Sequence, residues 1–143
     1  MDRDVVMAKL ESLHRCVRRL EDKRSATAAE LADDVDRQDI LAVNLERAVQ
    51  ICVDIAAHVI AEQGGPAPRT MSETFQILGR MNFITPDVAA SLQRAVGFRN
   101  LAVHQYDRID WCRVHEMLRD GLSDFRTFAA AVLARLPERR DEG

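Results

Sequence analysis

Apolar residues recur at helical spacing along almost the whole chain. Val6, Leu10, Leu13, Val17 and Leu20 fall three and four apart, which predicts a first helix from Asp4 to about Lys23 with one apolar stripe. Ser25-Ala26-Thr27 breaks the pattern. Thr27, with Glu30 three residues on, forms a capping box for a short helix that ends near Asp33. Asp33, Asp34 and Asp36 lack the ligand spacing and the glycine of a calcium loop, so they read as a turn that caps the next helix. That helix, about Arg37 to Glu62, is the longest. Its apolar face of Ile40, Leu41, Leu45, Ala48, Val49, Cys52, Ile55, Ala56, Val59 and Ile60 is broad enough for two or more neighbours. Gly64-Gly65-Pro66-Ala67-Pro68 stops it, with glycine as the left-handed cap and proline as the breaker.

Phe75, Ile77, Leu78 and Met81 predict a short helix from about Ser72 to Met81. Thr85-Pro86-Asp87 is a helix start, with Thr as N-cap, Pro in the first position and Asp against the dipole. The helix it opens carries Val88, Ala89, Leu92, Ala95, Val96 and Leu101. Gly97 within it costs up to ~1 kcal/mol against alanine. It reads either as a close approach by another backbone, such as a partner subunit's, or as a small core-packing site. Asp110 caps a last helix, about Trp111 to Leu136, with Val114, Met117, Leu118, Leu122, Phe125, Phe128, Ala129, Val132 and Leu133 as its stripe. Trp111 and Phe125 fall in that packing pattern. Pro137 ends the helix, and residues 138–143 read as a frayed tail. The expected architecture is an all-α up-and-down bundle of four main helices plus a short one, with residues 1–136 as a single domain and 137–143 as a flexible tail.

Composition adds limits. A length of 143 residues suits one domain with a real core, and 5% aromatic residues make that core chiefly aliphatic. A formal net charge of -3 speaks against a general nucleic-acid coating protein, but not against cleavage in a cleft that gathers arginine locally. The most basic cluster is Arg15, Arg18, Arg19, Lys23 and Arg24. It is either an RNA-backbone contact or a solvated helix face with cations near its C-terminal end. Cys16, Cys52 and Cys112 show no CxxC spacing and fit a reducing cytoplasm, Cys16 and Cys52 as packing residues. Met1-Asp2-Arg3-Asp4 lacks a signal peptide's basic start, and no run approaches the ~18 apolar residues that span a bilayer. Gln50, Asp54 and His58 lie at i, i+4 and i+8. This polar row either lines a cleft and orients a histidine through a carboxylate, or forms a surface ion pair; it offers too few ligands for a metal site.

The chemistry concentrates in Arg99-Asn100-Leu101-Ala102-Val103-His104-Gln105-Tyr106. At roughly 100° per residue, Arg99 and Tyr106 differ by about 20° on a helix, and Asn100 and His104 by about 40°. Arg99 and His104 are about 140° apart, so one regular helix does not aim both at a single atom. Either the helix ends before His104, or two copies of the segment meet across a symmetric dimer. Histidine can take or give a proton near neutral pH, and arginine presents a fork of donors to a phosphate oxygen. Together they can cleave RNA without a metal: the imidazole activates the ribose 2′-OH or protonates the leaving oxygen, and the guanidinium stabilises the phosphorane. The competing reading is structural, with Arg99 paired to a carboxylate and His104 satisfied in the core.

The spacing Arg99-x4-His104-x-Tyr106 resembles the R-x4-H-x-Y motif of HEPN-domain toxins. The run Gly97 to Tyr106, with Ile109-Asp110, resembles the HepT type. A second similar segment comprises Gln38-Asp39-Ile40, Asn44 to Gln50, and Asp54-Ile55-Ala56-Ala57-His58, and the resemblance spans about Met1 to Phe128. It implies a HEPN-like homodimer acting as a metal-independent endoribonuclease toxin without a cofactor. It also implies a minimal nucleotidyltransferase antitoxin of the MNT type, which transfers AMP to the motif tyrosine, here Tyr106. On this reading RNA is the substrate, His104 the general acid or base, Arg99 the phosphate and transition-state ligand, and Asn100 an accessory that orients the phosphate. The alternative is a non-catalytic helical module or scaffold that binds, or is modified by, such a nucleotidyltransferase.

Overall fold

A computed structural model describes residues 2–136. They form α1 (Arg3–Asp22), α2 (Ala28–Ala32), α3 (Val35–Glu62), α4 (Met71–Arg80), α5 (Pro86–His104), a 3-10 turn (Tyr106–Arg108), α6 (Trp111–Asp120) and α7 (Leu122–Arg135), with no strand among the described residues. The fold is all-α, as expected. The expected tail after Leu136 lies outside the described residues.

Local chemistry sets most helix boundaries. Thr27 Oγ1 accepts from the Glu30 N–H at 3.2 Å, and the Glu30 carboxylate accepts from the Ala26 N–H at 3.2 Å, closing the capping box of α2. Asp34 Oδ1 accepts from the Arg37 N–H at 3.0 Å, so the acidic turn is the N-cap of α3. Thr85 Oγ1 accepts from the Val88 N–H at 3.2 Å ahead of Pro86. Each such cap contributes about 0.5–2 kcal/mol. At the far end of α3, Gly64 takes φ 71°, and the Gly65 N–H reaches the Ile60 carbonyl at 2.9 Å. The left-handed glycine thus recovers carbonyls that the helix end would leave unpaired.

The long α3 is the element against which the bundle is built. It packs against α1, α2, α4, α5 and α7. Leu41, Leu45, Ala48, Val49, Cys52, Ile55, Ala56, Val59 and Ile60 are buried along it. Cys52 has no exposed surface, and burial, with Cys16 adding to it, holds its thiol far above the usual range; Cys16 is shifted the same way by burial. Both thiols therefore act as packing groups. Phe75 of α4 meets Phe128 of α7 edge to face, with ring centroids 6.2 Å apart. Phe128 is fully buried, so Phe128→Ala should cost about 3–5 kcal/mol in urea unfolding. A loss below ~1 kcal/mol would mean that this contact does not hold the bundle shut.

The expected last helix is in fact two. The break falls at Gly121, a residue that disfavours a helix interior by ~1 kcal/mol. Its N–H still reaches the Met117 carbonyl at 2.7 Å, but the Asp124 N–H turns to the Gly121 carbonyl at 3.1 Å. α6 packs on α2 while α7 packs on α1 and α5, so the two segments serve different neighbours. Some residues of the apolar stripes are less buried than their spacing implies, Leu10, Met117 and Ala129 being half-buried. Leu133 is 47% exposed, and Ile40 is half-buried in the wall of a groove.

Candidate active site

α5 starts in the core and leaves it. Val88, Ala89, Leu92, Ala95 and Val96 are buried, whereas no residue from Gly97 to Arg108 is. A Cβ on Gly97 would meet nothing within 4 Å, so this glycine relieves no crowding inside the chain. The helix continues through His104, its last residue. An earlier helix end is therefore excluded, and Arg99 and His104 keep their separation of about 140° around the axis.

Neither side chain has the purely structural role that sequence left open. His104 is exposed. Arg99 makes no ion pair with a carboxylate among the described residues; its Nη1 donates to Asn100 Oδ1 at 3.2 Å. Its Nε is sealed from solvent and has no acceptor. An unsatisfied buried donor costs about 1–3 kcal/mol, which an added acceptor would recover. Asn100 thus touches Arg99 while lying on the His104 side of the helix.

Tyr106 follows in the 3-10 turn. Its hydroxyl donates to Asp39 Oδ1 at 2.6 Å, across 67 positions of sequence. Its ring lies edge-on to Trp111, at 6.0 Å between centroids. Trp111, expected in the core, is half-buried and packs against the core from the side of the motif. Burial first, and then the hydrogen bond and charge of Asp39, push the phenol well above its ordinary value of 10.0. The protonated phenol therefore stabilises the fold below about pH 10, and this contribution is lost as the pH rises through the higher folded value. The chain has one tyrosine, so phenolate absorbance reports on Tyr106 alone. Asp39→Asn should move that titration towards the ordinary value without fully reaching it, because burial remains. An unmoved titration would show that the contact is not made in solution.

Asp39 falls in the resembling segment Gln38-Asp39-Ile40, but the resemblance assigns it no role. The available signal was the stripe Asp39, Val43, Arg47 at i, i+4 and i+8. It is exposed on a helix otherwise read as core, with Val43 44% exposed. This stripe lines a groove of about 770 Å³ between α1 and α3, together with Ser12, Arg15, Arg19 and Gln50. The basic cluster read from sequence is thereby divided. Arg15 and Arg19 line the groove with Arg47, whereas Arg24 turns away to the carbonyls of Glu21 and Leu118. The row of Gln50, Asp54 and His58 does not orient His104. Asp54 accepts from Gln50 at 2.9 Å and pairs with Lys9 of α1 at 3.8 Å, while His58 pairs with Glu62 at 3.6 Å. Among the described residues no group of three histidine, cysteine or acidic side chains could hold a metal ion, and no helix is long and apolar enough to cross a membrane.

Known proteins resemble this chain along most of its length. The mRNA nuclease HepT of Shewanella oneidensis is 29% identical over 92% of this chain and 98% of its own length. The tRNA nuclease HepT of Aphanizomenon flos-aquae is 24% identical over 90% of this chain and 87% of its own. The solved structure of a tri-AMPylated Shewanella oneidensis HEPN toxin in complex with MNT antitoxin is similar with a TM-score of 0.84 and 28% identity, covering 93% of this chain and 99% of that one. The family model described as "Ribonuclease HepT-like" matches residues 13–132, and with the helical fold around the Arg99–Tyr106 segment this establishes that the chain belongs to the ribonuclease HepT-like family.

Proposed function

We propose that the chain is a metal-independent endoribonuclease toxin, with residues 1–136 acting as one domain in the cytoplasm. The observation that carries this is the emergence of Arg99, Asn100, His104 and Tyr106 together at the exposed end of α5, in a member of a ribonuclease family. The ribose 2′-OH attacks the adjacent phosphorus, and the 5′ oxygen leaves. His104 takes the hydroxyl proton or supplies the proton to the leaving oxygen. Arg99 sets the accessible donors of its fork against the phosphorane oxygens. Asn100 holds the guanidinium by its carbonyl oxygen. Arg15, Arg19 and Arg47 supply sequence-independent contacts to flanking phosphates.

The 140° separation gives the dimer its purpose. A two-fold axis beside the end of α5 sets Arg99 of one subunit against His104 of the other, so that two copies complete a site one copy cannot. Val43 and Val103 are 44% and 42% exposed, and the open flank of Gly97 accepts a neighbouring backbone.

Neutralisation follows from the position of Tyr106. A nucleotidyltransferase antitoxin of the MNT type transfers AMP to its hydroxyl. The adduct adds bulk and a negative charge where a phosphodiester must bind, which excludes RNA by sterics and repulsion. The similar Shewanella toxin is itself tri-AMPylated and in complex with MNT antitoxin.

The test is incubation of the purified protein with total RNA in EDTA. Discrete fragments that disappear with the Arg99→Ala protein are the expected result. Intact RNA together with stable binding of a nucleotidyltransferase would favour the non-catalytic module instead.

A further inference from the structure

We propose that Asp39 is the base for the modification of its own chain, accepting the phenolic proton as Tyr106 attacks the nucleotide. This rests on the reading of Tyr106 as the AMP acceptor and goes beyond it by naming the group that makes the hydroxyl a nucleophile. A neutral phenol is a poor nucleophile and needs an adjacent base. The general base must lie within about 2.6–3.2 Å of the proton it removes. Asp39 Oδ1 is 2.6 Å from the Tyr106 oxygen, and no other hydrogen-bond partner of that hydroxyl is found among the described residues. The phenol stays protonated at neutral pH, pushed up by burial and by Asp39 itself. Deprotonation must therefore accompany attack.

A bond forms between Tyr106 Oη and the α-phosphorus of ATP. The bond from that phosphorus to the oxygen bridging the β-phosphate breaks, and pyrophosphate leaves with the electron pair. The phenolic proton passes to the Asp39 carboxylate and then to solvent. Arg15, Arg19 and Arg47 line the same groove as Asp39 and offset the approach of a polyanion to a carboxylate. After the proton is lost, Asp39 faces the new phosphodiester as a like charge, so the modified side chain swings away from α3.

The two parts of the role can be separated. Asp39→Asn retains a hydrogen-bond acceptor that can hold the hydroxyl but cannot take its proton. Asp39→Glu restores a carboxylate at a slightly different reach. Asp39 is exposed, so neither substitution disturbs the core. Wild type, Asp39→Asn, Asp39→Glu and Tyr106→Phe are each incubated with the nucleotidyltransferase antitoxin, ATP and magnesium, and intact mass is followed over time. The expected result is a fall of at least about tenfold in kcat for Asp39→Asn with the KM for ATP unchanged, partial recovery in Asp39→Glu, and no addition to Tyr106→Phe. Asp39→Asn modified at the wild-type rate while Tyr106→Phe stays unmodified overturns the role of Asp39 alone. An unmodified wild type, or a modified Tyr106→Phe, overturns the acceptor reading and the role of Asp39 with it.

Discussion

Replacing His104 with alanine should lower RNA cleavage by about 10²–10⁴-fold, the usual contribution of a positioned acid or base. The protein should remain folded. His104 is the last residue of α5 and is exposed, and substitutions at such positions change stability by about 0.5 kcal/mol or less. Its imidazole anchors nothing in the bundle, so a loss of cleavage cannot be charged to a loss of structure. The measurement is single-turnover cleavage of a labelled RNA beside thermal unfolding of the same preparation. In cells the variant should relieve growth arrest. A variant that cleaves at the wild-type rate removes His104 from the chemistry.

Arg99 should be equally intolerant and for a different reason. Arg99→Ala removes the fork that meets the phosphorane, a loss of about 10²–10³-fold for one preorganised donor group. Arg99→Lys keeps the charge but presents a point rather than a planar fork, so it should recover little of the rate. Stability should behave in the opposite sense to activity. The wild-type Nε is buried without an acceptor, so alanine removes an unsatisfied donor along with the activity. Unfolding midpoints that hold or rise in Arg99→Ala, with cleavage lost, are the expected pair of results. A structural arginine would show the reverse pattern, with stability falling and cleavage per folded molecule preserved.

What could be read from the sequence follows the range of the forces involved. Thr27, Asp34, Thr85 and Gly64 act within a turn of their own positions, and each delimits its helix as expected. Gly121 is the exception. Its helical cost is small, and the apolar stripe continues past it, so only the different neighbours of α6 and α7 reveal that the helix is divided there. The motif side chains were legible as candidate chemistry because the apolar run Leu101-Ala102-Val103 sets Arg99-Asn100 apart from His104-Gln105-Tyr106. Asp39 was not, because its partner is 67 positions away and no spacing rule connects them. The basic cluster was legible as charge but not as direction. Arg19 and Arg24 differ in what they face because Arg24 lies beyond the end of α1 and its side chain is drawn to backbone carbonyls. Trp111 packs against the core as its periodicity predicts, but it opens α6, and part of its ring is left to meet Tyr106.

On the dimeric site proposed above, two subunits complete what a single α5 cannot, because it does not turn Arg99 and His104 to the same phosphate. Mixing tests it directly. Arg99→Ala and Arg99-intact His104→Ala proteins, each inactive alone, are unfolded together in equal amounts and refolded to exchange subunits. If Arg99 of one subunit works with His104 of the other, each mixed dimer regains one whole site, and random pairing should restore about a quarter of wild-type cleavage. A mixture that forms mixed dimers and stays as inactive as its parents would contradict the account.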